Sequence, residues 1–517
     1  MGAFKHLVNR RLSRRDFVKG SAMAGGALAM GGLGAGLGAG SLKADKRFND
    51  IEVAGLWDNN WQNAPMWLSP LLQKEAGVSL KSRELYDAGE TTAKIVPQLL
   101  SNNPRFDWFC MPSLYFGLFA EVGLLEPLDQ YLNNFGGSKE YFDWIMPGYG
   151  EFYSQWGGQT YGLMVDGDIH NLHYRPSYFA DASNQNEFSK RFQRELTVPT
   201  TWEEYRDTAR FFTEKYKSQD IYGTSVVLNP PNFSWGFWMD VAGSYGVTYF
   251  DRNMNPQINQ GRAAESLEMF KEIVETGPPG KDSMSIGETI ARWESGADIM
   301  SVWWIDLAEF TVRSQGLERA ADQATALVPG TKQADGSMKH TPVALYSRTL
   351  GVPANASEEV KEAAAYYIYR MSHPDYSMNI VADPFCGSDP YGKTHFTDEA
   401  AMMYTQPNPQ RGTDELWPVN DGIFKTFDQA RRHLDGCQAN VENAFPQIYW
   451  EGAGEYGDAL GRAISKCISA GLGAQDALDE AAEEWVKITQ KLGYDSQKSQ
   501  HDKFLEATKR AGLNFEV

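Results

Sequence analysis

Cysteine is scarce in this 517-residue chain: only Cys110, Cys386, Cys437 and Cys467 occur. None forms the close pairs that a zinc site needs. An oxidising compartment leaves three full pairings open to four cysteines. The Cys437–Cys467 pairing is favoured, with four buried free thiols as the alternative. Basic residues are also in deficit, 48 Lys and Arg against 67 Asp and Glu, a net charge of −19. Such a surface repels nucleic acid and anionic membrane. Past residue 44 no apolar run is long enough to cross a bilayer, so a chain that is not membrane-embedded is expected. There is no Gly-rich phosphate loop, no GxGxxG after a strand, no HExxH and no GxSxG. Nor is there a redox-ligand pattern, so neither cofactor nor metal is expected. Internal repeats are missing too. About 470 residues beyond the start exceed one ordinary domain and suggest two lobes or more.

What is present begins with Ser13-Arg14-Arg15-Asp16-Phe17-Val18-Lys19, leading into a glycine-rich, uncharged stretch to Gly40. A basic n-region, an apolar h-region and small residues before a cut are the parts of an export signal. The segment resembles the twin-arginine type, departing only by Val18 for Leu. Residues 1–44 are read as that signal. Without them 41 basic and 66 acidic residues remain, a net charge of −25.

Alternating Ile51, Val53 and Gly55 mark a first strand ending at "WDNNWQN", followed by a helix from about Pro65 to Glu75. "RFDWFCMPS" is a second short apolar strand. Thr201-Trp202-Glu203-Glu204 reads as a capping box, and Trp202, Tyr205, Ala209 and Phe212 then form one buried stripe. Further helices are expected over 262–275, from Ser357, and around 477–486. Strand alternating with helix predicts an α/β protein with a parallel sheet.

Five segments, in order, resemble the family 1 extracellular solute-binding proteins, the carbohydrate-capturing components of ATP-driven importers. They are "FGLFAEVGLLEPLDQYL", "GGQTYGLMVDGDIHNLHYRPSYFA", "VPTTWEEYRDTARFF", "ARWESGADIMSVWWID" and "LGVPANASEEVKEAAAYYIYRM". Met164 stands where that family usually has proline, and the part beyond about Asp383 is longer. The resemblance implies a periplasmic-binding-protein-like fold of two α/β lobes joined by hinge strands with multiple crossovers. The expected division is 45–160 plus 297–350 in lobe 1, and 161–296 plus 351–517 in lobe 2. It also implies a periplasmic monomer that captures a small solute by lobe closure and serves an ABC permease and its ATPase.

A sugar offers C–H faces to aromatic planes and hydroxyls to carboxylates, whose hydrogen bonds are charge-assisted. Open α/β sheets bind ligand at strand carboxyl ends. On that basis Trp57 is expected to stack, with Asp58 accepting hydroxyls and Trp61 nearby; the alternative makes Trp57 the last buried strand residue. Thr92 and Ser113 are candidate donors. Asp166 and Asp168 flank Gly167, and His170 beyond them reads as a packed histidine. Trp235, Trp238 and Asp240 share one segment, core packing being the alternative for one tryptophan. Trp303 is favoured over Trp304 as the ligand-facing member of its pair, with Asp306 following. Gly387, Ser388, Asp389 and Tyr391 form a proline-stiffened loop. The expected ligand is a neutral sugar or polyol, bound without catalysis. The alternatives are an organic cation such as a polyamine, held by cation–π contact, and an exported glycoside hydrolase using paired carboxylates.

Overall fold

A computed structural model describes residues 47–58, 64–86, 90–229, 231–408 and 422–513. The expected export signal, Trp61 and the side chains of Asp58 and Thr92 lie outside the described residues. Eight strands carry the two principal sheets: β1 (Ile51–Asp58), β2 (Val78–Tyr86), β3 (Trp108–Pro112), β4 (Leu163–Asp166), β5 (Asn171–Tyr174), β6 (Met300–Trp303), β7 (Ala324–Ala326) and β8 (Arg348–Gly351). The chain forms two compact units, one of Met1–Gly167 with Ser347–Ile423, the other of Asp168–Tyr346 with Phe424–Val517.

The first unit is built on a five-stranded sheet in the order β2-β1-β3-β8-β4. Strands β1, β2 and β3 run parallel, and β8 runs antiparallel to both β3 and β4. In β1, Val53 to Trp57 are all buried. That is the pattern of a central parallel strand covered on both faces. Gly55 sits opposite Trp108, and a Cβ there would stand 2.2 Å from the indole. Trp108 stacks on Tyr367 of the helix Glu358–Ser372, with centroids 5.5 Å apart at 14°. Glu75, on the helix Ala64–Ala76, accepts hydrogen bonds from the Tyr366 and Tyr376 hydroxyls, each at 2.6 Å, and pairs with Arg370 Nε at 2.9 Å. These contacts place the 358–381 helices with the first unit, whereas the sequence expectation assigned 351–517 to the other lobe.

The second unit holds a three-stranded sheet in the order β6-β5-β7, with both outer strands antiparallel to β5. Asn171 pairs with Trp303 and Tyr174 with Met300. This ladder corrects the expectation that 297–350 joins the first lobe: residues up to Tyr346 belong to the second unit, and β8 alone returns. The helix Trp202–Tyr216 starts as its sequence predicts. Glu204 N–H donates to Thr201 Oγ1 at 3.2 Å, and the Glu204 carboxylate accepts from Thr201 N–H at 3.3 Å. The helices Ala453–Ser469, Ala474–Leu492 and Tyr494–Arg510 close the chain.

All four cysteines are buried free thiols. The favoured Cys437–Cys467 pairing is not formed. Cys437 Sγ instead lies 3.6 Å from His433 Nε2, one turn earlier on the helix Phe427–Glu442, while Cys467 sits on the inward face of the helix Ala453–Ser469. Burial pushes both thiols up. Among the described residues no helix is long and apolar enough to cross a membrane.

The substitution Gly55→Ala should destabilise the protein by about 1–3 kcal/mol through overpacking against Trp108. A lowered urea midpoint at unchanged m-value would register the loss; an unchanged midpoint would mean that the Trp108 ring yields freely.

Candidate functional site

In the first unit the acidic end of β4 meets the loop from Gly387 to Tyr391. Gly387 takes φ +58°, a left-handed turn that glycine adopts without a Cβ penalty. Asp389 N–H donates to Asp166 Oδ1 at 2.8 Å, and Gly167 N–H donates to the Asp389 carbonyl at 3.0 Å. A Cβ on Gly167 would lie 2.3 Å from the Pro390 carbonyl oxygen, so the close approach depends on glycine. Asp166, Gly387, Ser388 and Asp389 are thus brought together, all buried.

Tyr391 is buried as well, with its hydroxyl donating to the Ser372 carbonyl at 3.4 Å and its ring edge-on to His395. The N–H groups of Tyr391 and Gly392 both donate to His395 Nδ1 at 3.1 Å. The ring proton therefore sits on Nε2, which donates to Ser377 Oγ at 2.9 Å. Burial pushes this imidazole down to about 3. The arrangement fixes Tyr391 as part of the loop's packed base. Ser113 follows β3, and its N–H donates to the Ser347 carbonyl at 2.7 Å. Trp57 lies wholly buried, edge-on to Trp108 at 5.8 Å, the packing alternative for that residue.

In the second unit Trp235, Trp238 and Asp240 all lie on the helix Pro231–Ser244. Trp235 faces helix Ala453–Ser469, where a Cβ on Gly457 would come within 2.7 Å of its indole nitrogen. Trp238 is fully buried. Asp240 Oδ2 is 2.6 Å from His170 Nδ1, and Oδ1 accepts the Val343 N–H at 2.8 Å. His170 stacks on Phe237 at 4.3 Å and 17°, with the Trp304 ring edge-on at 5.0 Å.

Trp303 and Trp304 have centroids 5.0 Å apart at 88°. Trp303 leans on Phe237, whereas Trp304 borders Phe233 and donates its indole N–H to the Leu345 carbonyl at 2.8 Å. Phe233 stacks on Tyr346 at 4.7 Å and 16°. Both rings are half-buried, so this pair offers an aromatic face, which the sequence reading passed over. Phe233 lies two residues before the candidate Trp235. Tyr346 gave no signal, since nothing in its neighbours announces the left-handed backbone, φ +69°, that turns it toward Phe233.

Asp306 precedes the helix Leu307–Gln315. Burial first, then the neighbouring Asp168 charge, pushes its carboxyl up to about 8, against the opposing pull of Arg313. Asp168 and Asp306 are therefore brought together, and the neutral form of Asp306 is favoured. An apolar cavity of about 20 Å³ lies behind Phe237, among Trp202, Tyr205, Phe270 and Val302. It has room for about one water and none for a sugar.

The profile of a family described as bacterial extracellular solute-binding protein matches residues 71–384, and the chain belongs to that family. No curated protein sequence matches it. A solute-binding protein from Agrobacterium radiobacter K84 in complex with ribitol is 19% identical, aligning over 86% of this chain and 100% of its own, with a TM-score of 0.64. A maltose-bound protein of T. maritima is 14% identical over 84% of this chain and 99% of its own, at 0.63. A solute-binding protein from Agrobacterium vitis S4 with bound D-mannitol is 18% identical over 86% and 99%, at 0.59. These likenesses show the periplasmic-binding-protein-like α/β fold.

Because the folded pKa of Asp306 is raised from 3.8 to about 8, its stabilising contribution is fully present below the unfolded value. It is lost as pH rises through the folded one. The variant Asp306→Asn should therefore hold its urea midpoint flatter than wild type from about pH 5 to 8.5. Equal slopes would show that Asp306 is ionised throughout.

Proposed function

We propose that the protein binds a neutral carbohydrate or polyol in the periplasm, as a monomer, and hands it unchanged to the permease and ATPase of an ABC importer. The observation that carries this reading is the half-buried Phe233–Tyr346 stack, in the same unit as Asp168 and the neutral Asp306. An aromatic plane takes the C–H face of a sugar. A carboxylate accepts from its hydroxyls, and a protonated carboxyl can also donate to them. Asp168, Arg313 and a neutral Asp306 leave little net charge, which suits an uncharged ligand better than an organic cation. The ribitol, maltose and D-mannitol bound by proteins of this fold support the same class. Asp166, Ser388 and Asp389 are proposed as further polar candidates, as are Asp58, Trp61 and Thr92. The twin-arginine-type leader fits the same reading as the export address.

Thermal-shift screening against neutral sugars, polyols and polyamines tests this directly. A neutral ligand should raise the melting temperature by a few degrees through mass action. Tyr346→Ala should weaken its binding about tenfold by calorimetry, the scale of a lost aromatic contact. A response to polyamines alone would replace the carbohydrate reading with the cation one.

A further inference from the structure

His170 is fully buried and lies between the Phe237 face and the Trp304 edge. Its Nδ1 is tied to Asp240 Oδ2 at 2.6 Å, and its backbone N–H donates to the Val343 carbonyl at 3.1 Å. Asp240 is fixed in turn, since Oδ1 takes the Val343 N–H and its backbone carbonyl takes the Thr341 hydroxyl at 2.9 Å. A carboxylate on Nδ1 places the ring proton there and leaves Nε2 as an acceptor. Yet Nε2 has no partner among the described residues. His395 and His433, buried as deeply, have both ring nitrogens engaged. A buried acceptor left over in an aromatic box, on a ring held by stacking and a carboxylate, is what a site waiting for a donor looks like.

We propose that His170 contacts the ligand, Nε2 accepting a hydrogen bond from a hydroxyl of the bound sugar or polyol. Asp240 is the positioning residue that keeps the ring in the accepting tautomer. The inference rests on the carbohydrate reading above. It also reverses two sequence expectations, because the aspartate acts through the histidine and the histidine, read as packing alone, meets the solute.

The test uses the tightest binder found among ribitol, D-mannitol and maltose, with the full exported chain. On adding it, the His170 Nε2 nitrogen resonance should shift while Nδ1 stays protonated. His170→Phe keeps the stack on Phe237 but loses the acceptor, and should bind at least about tenfold more weakly. Asp240→Asn can keep the Val343 contact while its amide donates to Nδ1. That moves the ring proton to Nε2, which should register as a tautomer change in the nitrogen spectrum and a similar loss of affinity. If His170→Phe binds as tightly as wild type and Nε2 does not respond, the inference fails and the carbohydrate reading stands. If none of the three probes binds wild type, the carbohydrate reading fails for this set and the inference goes with it.

Discussion

Taking a carboxylate out of water costs several kcal/mol unless its oxygens are occupied. The second unit is arranged around one such group, Asp240. One oxygen meets the His170 imidazole and the other the Val343 amide. The helix Pro231–Ser244 is thereby locked to the segment entering β5 and to the chain around Val343, which pairs with Phe445. Once those backbones are pinned, the rings of Phe237, Trp303 and Trp304 have little choice of position. The Phe233–Tyr346 face is the outer layer of the same stack. Polar commitment comes first here, and the aromatic surface follows from it.

The first unit reaches a comparable end by backbone contact. Asp166 and Asp389 are drawn together by amide donors, and the approach is possible because Gly167 has no side chain. Its aromatic residues, Trp57, Trp108 and Tyr367, are spent on joining sheet to helix. Acids and a rigid loop thus characterise the first unit, and packed rings the second.

Much of this architecture was legible in the residues. The capping box at Thr201 and the stripe from Trp202 to Phe212 have local causes, so the helix appears where the pattern put it. The same holds for the helix beginning after Ser357 and for the helix Ala474–Leu492. Strand β2 went unseen because Lys81, Ser82 and Glu84 break the apolar pattern on an edge strand. The division into units was misjudged at 297–350 because it is set by the pairing of β5 with β6, a contact between residues about 130 positions apart. Aromatic and acidic residues were gathered as candidates, but which of them stay in the core depends on side-chain direction. Trp235 and Asp240 share a helix yet serve different partners, and no spacing rule separates them. Tyr346 depends on a backbone conformation that side-chain chemistry does not advertise.

The four thiols have a bearing on where the chain can mature. With no cross-link to close and all four sulfurs buried, assembly calls for neither an oxidant nor a disulfide isomerase. Burial holds Cys437 and Cys467 toward the protonated thiol, a poor partner for exchange with outside sulfurs. The finished shape therefore does not depend on oxidation of these cysteines.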